Sequence, residues 1–180
     1  MIDRVVALGG PPGSGKSTAG RRVAERLGLA YTSAGDVFRA EAARRGLDVE
    51  AFGRYAEAHT EVDRELDRSM QALAAPGRLL DGRIQGILCR RAGTPVACVV
   101  VTADREERVR RVARRDGQSV SEASRRVEQR EASERTRYRE IYGIDLDREP
   151  ADLTVDSTEV PADAVAERIR AFVVAREAGA

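Results

Sequence analysis

The hydrophobic positions of this chain alternate between short runs rich in β-branched residues and longer stretches with helical spacing. The short runs predict five strands, near residues 4–8, 29–32, 78–81, 96–101 and 152–156. The run VACVVV at 96–101 is apolar throughout, which is typical of a central strand covered on both faces. Strands that alternate with helices predict a three-layer α/β/α fold around a five-stranded parallel sheet.

Helix ends are marked by capping residues, glycines and prolines. The pattern predicts a first helix from Lys16 to about Leu27, ended by Gly28, and a last helix that begins at Pro161. A polar residue followed three positions later by an acidic one predicts four more helix starts, at Ser33 with Asp36, Thr60 with Asp63, Asp104 with Glu107 and Ser119 with Glu122. We expect these four helices to end near Gly46, Ala74, Gly117 and Gly143.

Two regions fit the sheet less well. Residues 41–75 form a charged helical excursion between strands, and residues 104–142 carry 12 arginines and 9 acidic residues with few apolar ones. A helix that is polar nearly all round either folds over something charged or presents a solvated face laced with ion pairs. Composition leaves both interpretations of residues 104–142 open.

Composition excludes several classes of function. A formal net charge of +1 gives no basic footprint for nucleic acid, and no apolar run is long enough to cross a bilayer. The chain enters an apolar strand at once, so we expect no signal peptide and a cytoplasmic location. Cys89 and Cys98 form no CxxC motif and are expected to be reduced, buried thiols.

The strongest motif lies directly after the first predicted strand. Residues 10–17 match G-x-x-x-x-G-K-[ST], a loop whose backbone N–H groups converge on phosphate oxygens at a helix N-terminus. The prolines lack N–H donors and stiffen the entry to the loop, and the Ser17 hydroxyl is placed to bind Mg²⁺. The predicted nucleotide-binding residues are Gly10, Pro11, Pro12, Gly13, Ser14, Gly15, Lys16, Ser17 and Thr18.

Lys16 is the only lysine of the chain, although lysine and arginine together number 31. A compact ammonium fits between the phosphates inside a tight loop, where a planar guanidinium is too large and too directional. With a single lysine and no asparagine, the chain cannot contain the Asn/Thr-Lys-x-Asp tetrapeptide with which GTPases read guanine. A large motor or AAA-type ATPase needs more length, which leaves a small phosphotransferase with a second site for the acceptor.

Two segments are candidates for that second site. In TSAGDVFR, a helix start at Ser33 and Asp36 exposes N–H groups beside Arg39, which suits an acceptor phosphate, although a plain capped helix explains the segment equally well. In RLLDGR, Asp81 ends an apolar strand, where a carboxylate is placed to hold Mg²⁺ through water, and Arg83 would point toward the acceptor. An ordinary strand-end turn is the alternative for this second segment.

Taken in order, several segments carry a family resemblance over about residues 4–175. GPPGSGKST, TSAGDVFR, AFGRYAE, VDRELD, LLDGR, QREASERTRYREIYGID and DLTVDST resemble the compact cytidylate kinases best known from archaea. They are similar, more loosely, to bacterial cytidylate kinases and to adenylate kinases. After the DGR, the bacterial proteins tend to have another Asp, whereas Ile84 and Gln85 stand here, so the cytosine contacts do not carry over one by one.

The resemblance implies a P-loop kinase fold and an ATP- and Mg²⁺-dependent transfer of the γ-phosphoryl group to CMP or dCMP. It implies one domain, with a core at 1–32, 77–103 and 150–180, an acceptor-binding region at 33–76 and an Arg-rich lid at about 104–142. Two alternatives remain. One is a kinase for AMP, UMP or another small acceptor, and the other is a nucleotide-binding module that no longer transfers a phosphoryl group. We expect a monomer that acts on small nucleotides without nucleic acid or a membrane.

The resemblance also implies roles for single residues. It places Ser33, Arg39 and Arg83 near the acceptor and makes Arg130 a contact of the base or the acceptor. The lid arginines implied to clamp the transition state are Arg135 and Arg137, with Arg111 and Arg115 as second choices. Asp63 and Asp67 lie one helical turn apart, where they contact the cytosine amino group or belong to a solvated face.

Overall fold

Five parallel strands form the centre of the protein, as the apolar runs predict. The computed structural model describes residues 2–148 and 150–179. The strand order is β2-β3-β1-β4-β5, and every neighbouring pair is parallel. The strands are β1 (Val5–Gly9), β2 (Ala30–Ser33), β3 (Arg78–Asp81), β4 (Val96–Thr102) and β5 (Leu153–Asp156).

Helices connect successive strands and cover both faces of the sheet, which confirms the three-layer α/β/α architecture. They are α1 (Lys16–Leu27), α2 (Ala34–Arg44), α3 (Val49–Ala58), α4 (Thr60–Ala72), α5 (Gln85–Arg91), α6 (Arg105–Asp116), α7 (Val120–Tyr142) and α8 (Ala162–Ala178). A short 3-10 turn, Leu146–Arg148, lies between α7 and β5. Within the described residues, no helix combines the length and apolar character needed to span a membrane.

Alternate residues of the strands build two apolar layers. Val6, Leu8, Leu79 and Val99 face α1 and α8 in the larger cluster, whereas Val5 packs with residues of α4 and α5 on the opposite face. The connection from β1 leads to β2 on one side of β1, and the connection from β3 leads to β4 on its other side, so the strand order reverses beside β1. Ligand crevices of parallel sheets open at the carboxyl ends of the strands beside such a reversal, so the phosphate loop after β1 lies where a site is expected.

Among the described residues, three smaller apolar clusters contain no strand residue, and two of them are centred on packed helices. Helices α2, α3 and α4 share one around Ala42, Phe52 and Val62, and α6 and α7 share another around Val112 and Val127. Helices α2–α4, predicted to bind the acceptor, and helices α6 and α7, predicted to form the lid, therefore each have an apolar centre of their own. Both roles and their residue boundaries stay predictions. Cys89 and Cys98 are buried and are not joined in a disulfide, as predicted.

The structure also corrects several details. The helices α3 and α5 were not predicted as separate elements. The capping box expected at Thr60 is wrong, because His59 occupies the N-cap position and its side chain makes no capping bond. Asp104 precedes α6 without capping it through its side chain. The capping box between Ser119 and Glu122 is confirmed in both directions.

Candidate active site

The loop between β1 and α1, residues 10–15, forms a cradle closed from behind by other parts of the main chain. Gly10 has φ 127°, and a Cβ there would lie 2.0 Å from the carbonyl oxygen of Val101. Gly13 has φ 80°, and a Cβ there would lie 2.5 Å from the carbonyl oxygen of Arg108. Only glycine fits either position, and no side chain caps the start of α1 at Gly15. The first amides of α1 therefore face the loop, as an anion site requires.

Lys16 begins α1 and is surrounded by charged groups. Burial lowers the pKa of its ammonium, and the nearby Asp81 carboxylate opposes that shift. Arg130 and Arg83 lower the pKa of Lys16 further, whereas Glu134 raises it. Three cations and two carboxylates thus act on one another at the mouth of the cradle, which leaves an excess of positive charge for an anionic ligand.

Asp81, a predicted Mg²⁺ ligand, lies at the end of β3 and is 2% exposed. The Tyr31 hydroxyl donates a 2.5 Å hydrogen bond to its Oδ2, whereas its Oδ1 is buried with no hydrogen-bond partner among the described residues. Burial and Asp81 raise the pKa of Tyr31, and the Ser17 hydroxyl lies close enough to the same phenol to lower it in part. Tyr31 therefore brings the two predicted metal ligands together, a role that sequence reasoning missed.

This arrangement fits a Mg²⁺ ion held mainly by substrate. Mg²⁺ usually binds through one or two protein oxygens together with waters and phosphates. An orphaned carboxylate oxygen at Asp81 and an exposed hydroxyl at Ser17 supply such ligands. No group of three or more His, Cys, Asp and Glu side chains within the described residues forms a dedicated metal cage.

The second predicted site begins at Ser33, which caps α2. Its Oγ accepts a 3.4 Å hydrogen bond from the Asp36 amide. The Asp36 carboxylate does not close a capping box; it accepts hydrogen bonds from Arg39 at 2.5 Å and Arg21 at 2.9 Å. A Cβ on Gly35 would lie 3.4 Å from Arg39 Nη1 and 3.5 Å from Ser33 Oγ. The arginine and the serine thus flank the first turn of α2, as a phosphate site at this helix start requires.

Glu134 of α7 is a member of the site that the sequence reasoning missed. It is 4% exposed, accepts a 2.7 Å hydrogen bond from Arg130 Nε, and has Oε2 3.2 Å from Arg83 Nε. Burial alone would raise the pKa of this carboxyl, but the charges of Arg130 and Arg83 hold it below its usual value. Glu134 therefore stays ionised and links α7 to Arg83, which follows the end of β3.

Asp63 and Asp67 lie on a buried face of α4, and both are bonded to α7. Arg137 Nη1 donates to both oxygens of Asp63, at 2.7 and 2.8 Å. Tyr142 donates to Asp67 at 2.8 Å, and Gln85 donates to it at 3.0 Å. Burial raises the pKa of Asp67 to about 6. The solvated-face interpretation of this pair is therefore wrong, because the two carboxylates are buried and attach α4 to α7.

The remaining lid arginines are engaged with protein groups. Arg135 pairs with Asp147 at 3.1 Å and is about half exposed, and Arg115 pairs with its neighbour Asp116. Arg111 donates to Ser157 Oγ at 2.9 Å, directly behind the cradle. Together with Arg137, these residues were the candidates for transition-state clamps. That role stays a prediction, and for Arg137 it requires a change of partner.

Known proteins resemble the chain over most of its length. A family model described as an AAA domain matches residues 9–141, so the chain belongs to that family. The short length of the chain therefore does not exclude a relation to AAA domains. A cytidylate kinase of Methanopyrus kandleri is 41% identical over 162 residues, which cover 86% of this chain and 82% of the relative. The chain belongs to the cytidylate kinases. A cytidylate kinase of Archaeoglobus fulgidus is 38% identical and aligns with 91% of each chain.

Among solved structures, proteins of low sequence identity share the fold of this chain. A shikimate kinase from Bacteroides thetaiotaomicron superposes with a TM-score of 0.64 at 15% identity, covering 94% of this chain and 98% of the other. At this identity, the likeness establishes the kinase fold alone.

Proposed function

We propose that the protein transfers the γ-phosphoryl group of ATP to CMP or dCMP, which yields CDP or dCDP together with ADP. The observation that carries this proposal is the arrangement of two anion sites, the cradle at Lys16 and the start of α2 at Ser33, in a member of the cytidylate kinase family. Both relatives are cytidylate kinases, and the alignments cover 82% and 91% of their lengths, which favours CMP over AMP or UMP as the acceptor.

The donor side is built from the cradle. The amides from Gly13 to Thr18 and the Lys16 ammonium bind the phosphates of ATP, and Ser17 and Asp81 would hold Mg²⁺, which supplies charge neutralisation on the phosphate oxygens. The buried Oδ1 of Asp81 supports this assignment, because a buried carboxylate oxygen without a hydrogen-bond partner is available to bind an ion or its water.

The acceptor side is built from α2, the end of β3 and the lid. Ser33 and Arg39 at the start of α2, with Arg83 after β3, bind the acceptor phosphate. Asp63 and Arg130 contact the rest of the acceptor nucleotide. The acceptor phosphate is itself the nucleophile and is mostly dianionic at neutral pH, since its second pKa is about 6. The protein therefore needs no general base and works by in-line placement and charge neutralisation.

The lid excludes water from the reacting phosphates, so that ATP is not hydrolysed without an acceptor. Arg135 and Arg137 of the lid are proposed to neutralise the transferring group. Both are held by carboxylates in this structure, Arg135 by Asp147 and Arg137 by Asp63. Their participation would require them to exchange these partners for phosphate oxygens when the nucleotides bind.

A coupled assay of ADP release with CMP, dCMP, UMP, AMP and GMP tests the proposal. Turnover with CMP or dCMP alone supports it. Turnover mainly with another nucleotide assigns a different kinase, and no turnover with any acceptor assigns a module without transfer. Arg39→Met is expected to raise the KM for CMP at least tenfold. Arg44→Met, which removes a 70% exposed arginine from the same helix, leaves the KM within twofold.

We further propose that the protein acts as a monomer in the cytoplasm, on small nucleotides and without nucleic acid or a membrane. The near-neutral formal charge of +1 supports the absence of a nucleic-acid partner. Sedimentation equilibrium at assay concentrations should give a single species at the mass of one chain, 19.6 kDa. A species at twice that mass would contradict the assignment.

A further inference from the structure

We propose that Arg108 is a positioning residue that aims the phosphate-binding amides of the cradle and ties the cradle to the lid helix α7. The inference rests on the proposed function, because it takes the cradle to hold the phosphates of the donor. Arg108 lies in α6, is only 8% exposed and is not part of either anion site.

Arg108 joins three parts of the fold. Its Nε donates to the carbonyl oxygen of Ala103, after the end of β4, at 3.0 Å. Its Nη1 donates to the carbonyl oxygen of Pro12 in the cradle at 3.2 Å and to the carboxylate of Glu131 in α7. A guanidinium this deeply buried is stable only where its donors are paired. The sheet, the cradle and the lid therefore meet at one side chain.

The bond to Pro12 fixes the direction of an amide in the phosphate site. The carbonyl of Pro12 and the N–H of Gly13 belong to one planar trans peptide, so they point in opposite directions. When Arg108 holds the carbonyl from the side of α6, the Gly13 N–H is turned to the other side, where the phosphates are expected. The main chain of α6 packs against the same peptide, since a Cβ on Gly13 would lie 2.5 Å from the carbonyl oxygen of Arg108.

A second peptide of the cradle is held in the same way. Ser157 Oγ donates to the carbonyl oxygen of Ser14 at 2.7 Å, and Arg111 Nη1 donates to Ser157 Oγ at 2.9 Å. Planarity of that peptide aims the N–H of Gly15 away from Ser157. Arg108 and Arg111 lie three residues apart on one face of α6. This face braces two cradle carbonyls, so that the amides which follow them are oriented before any nucleotide binds.

The ion pair between Arg108 and Glu131 connects the cradle contact of Arg108 to the lid helix α7. The side chains of Arg108 and Glu131 are 10% and 13% exposed, so the pair is shielded from solvent and holds α7 against the back of the cradle. Because Arg108 Nη1 serves both Glu131 and Pro12, a movement of α7 acts directly on the cradle peptide. The geometry therefore couples the orientation of the lid to the donor site.

Arg108→Met tests the cradle half of the proposal, with Arg4→Met as a matched control. Arg4 is also partly buried, with 16% of its side chain exposed, and it too bonds a carboxylate, that of Glu177, and a main-chain carbonyl, that of Arg176. It precedes β1 at the end of the sheet opposite the cradle. The readouts are the Kd for ATP by titration calorimetry without acceptor, the KM for CMP, kcat and the melting temperature.

The expected result is a Kd for ATP at least tenfold weaker in Arg108→Met, with the KM for CMP changed less than threefold. Arg4→Met lowers the melting temperature but leaves the Kd for ATP within twofold of the parent. A parent-like Kd in Arg108→Met overturns the proposal, and so does an equal weakening in both variants. If Arg108→Met does not fold, Arg108→Lys decides: its Kd for ATP must weaken at least threefold at a parent-like melting temperature.

Glu131→Gln tests the lid half, because it leaves both carbonyl bonds of Arg108 in place. The Kd for ATP should stay within threefold of the parent while kcat falls at least threefold, and an unchanged kcat overturns the coupling to the lid. Failure of the proposed function is distinguishable, because the parent would then bind ATP without phosphorylating CMP. The calorimetric comparison of Arg108 with Arg4 still applies in that case.

Discussion

The ion pair between Asp63 and Arg137 attaches α4 to α7. Its side chains are only 6% and 11% exposed, and the bond is made to both carboxylate oxygens. Removing one partner of a buried pair costs about 3–5 kcal/mol, because the other charge is left uncompensated. Asp63→Asn is expected near the lower limit, a loss of about 3 kcal/mol, since the amide oxygen still accepts one hydrogen bond from Arg137.

The net worth of the pair is much smaller than this loss. Burial raises the pKa of Asp63 despite the neighbouring arginine, so the attraction does not fully offset the desolvation of the carboxylate. Replacing both residues, as Asp63→Leu with Arg137→Met, removes both buried charges at once. We expect this double variant to lie within about 1 kcal/mol of the parent.

Urea unfolding followed by circular dichroism measures the free energy of unfolding of each variant. The double-mutant cycle of Asp63→Leu and Arg137→Met gives the coupling free energy between the two residues. Glu50→Gln is the control, because Glu50 and its partner Arg54 are 63% and 64% exposed and should contribute less than about 1 kcal/mol. A cost below about 1 kcal/mol for Asp63→Asn, or a double variant whose loss equals the sum of the single losses, would refute the reasoning.

Three further predictions follow from the site. The pKa of Asp67 is raised from 3.8 in the unfolded chain to about 6, so the folded protein loses stability as the pH rises through that value. The loss should be about 2–3 kcal/mol between pH 4 and pH 8. Asp67→Asn should flatten this dependence when unfolding is measured at several pH values. Gly10→Ala places a Cβ 2.0 Å from the Val101 carbonyl at φ 127° and should cost at least about 3 kcal/mol by urea unfolding, with ATP binding lost; parent-like stability would contradict the packing described for the cradle. Glu134→Gln leaves two arginines without their shared carboxylate and should lower kcat/KM for CMP by at least about tenfold, whereas Glu128→Gln, on the same helix and 74% exposed, should not change it.

The parts of this protein that follow from local sequence were predictable. Strands read from apolar runs shift by about one residue at their ends, and the phosphate loop lies between β1 and α1 as its motif requires. Both signals are local, because β-branched runs and glycines constrain the backbone wherever they occur. The capping box at Ser119 was likewise predictable, since its two hydrogen bonds join residues three positions apart.

The parts that depend on contacts distant in sequence were not predictable. Glu134 and Arg108 stand in a segment so rich in charge that nothing marks them as buried. Yet Glu134 pairs with Arg83 and Arg108 donates to the carbonyl of Pro12, and both partners are distant in sequence. Asp63 was expected to cap α4, but its carboxylate is bonded to Arg137, 74 positions away. Nothing in the short strand that contains Tyr31 indicates that its hydroxyl bonds Asp81 of another strand. Periodicity and capping rules do not report such pairings, because they depend on how the elements pack.

The central claim is that a lone ammonium in the cradle holds the donor phosphates for transfer to CMP. Phosphorus NMR of the protein with ATP, Mg²⁺ and CMP, comparing the parent with Lys16→Arg, tests it most directly. The parent should form CDP and ADP in equal amounts, and Lys16→Arg, although it keeps the charge, should be slower by about 10²–10³ because a planar guanidinium does not fit the loop. Inorganic phosphate in place of CDP, or a Lys16→Arg rate within threefold of the parent, would contradict the account.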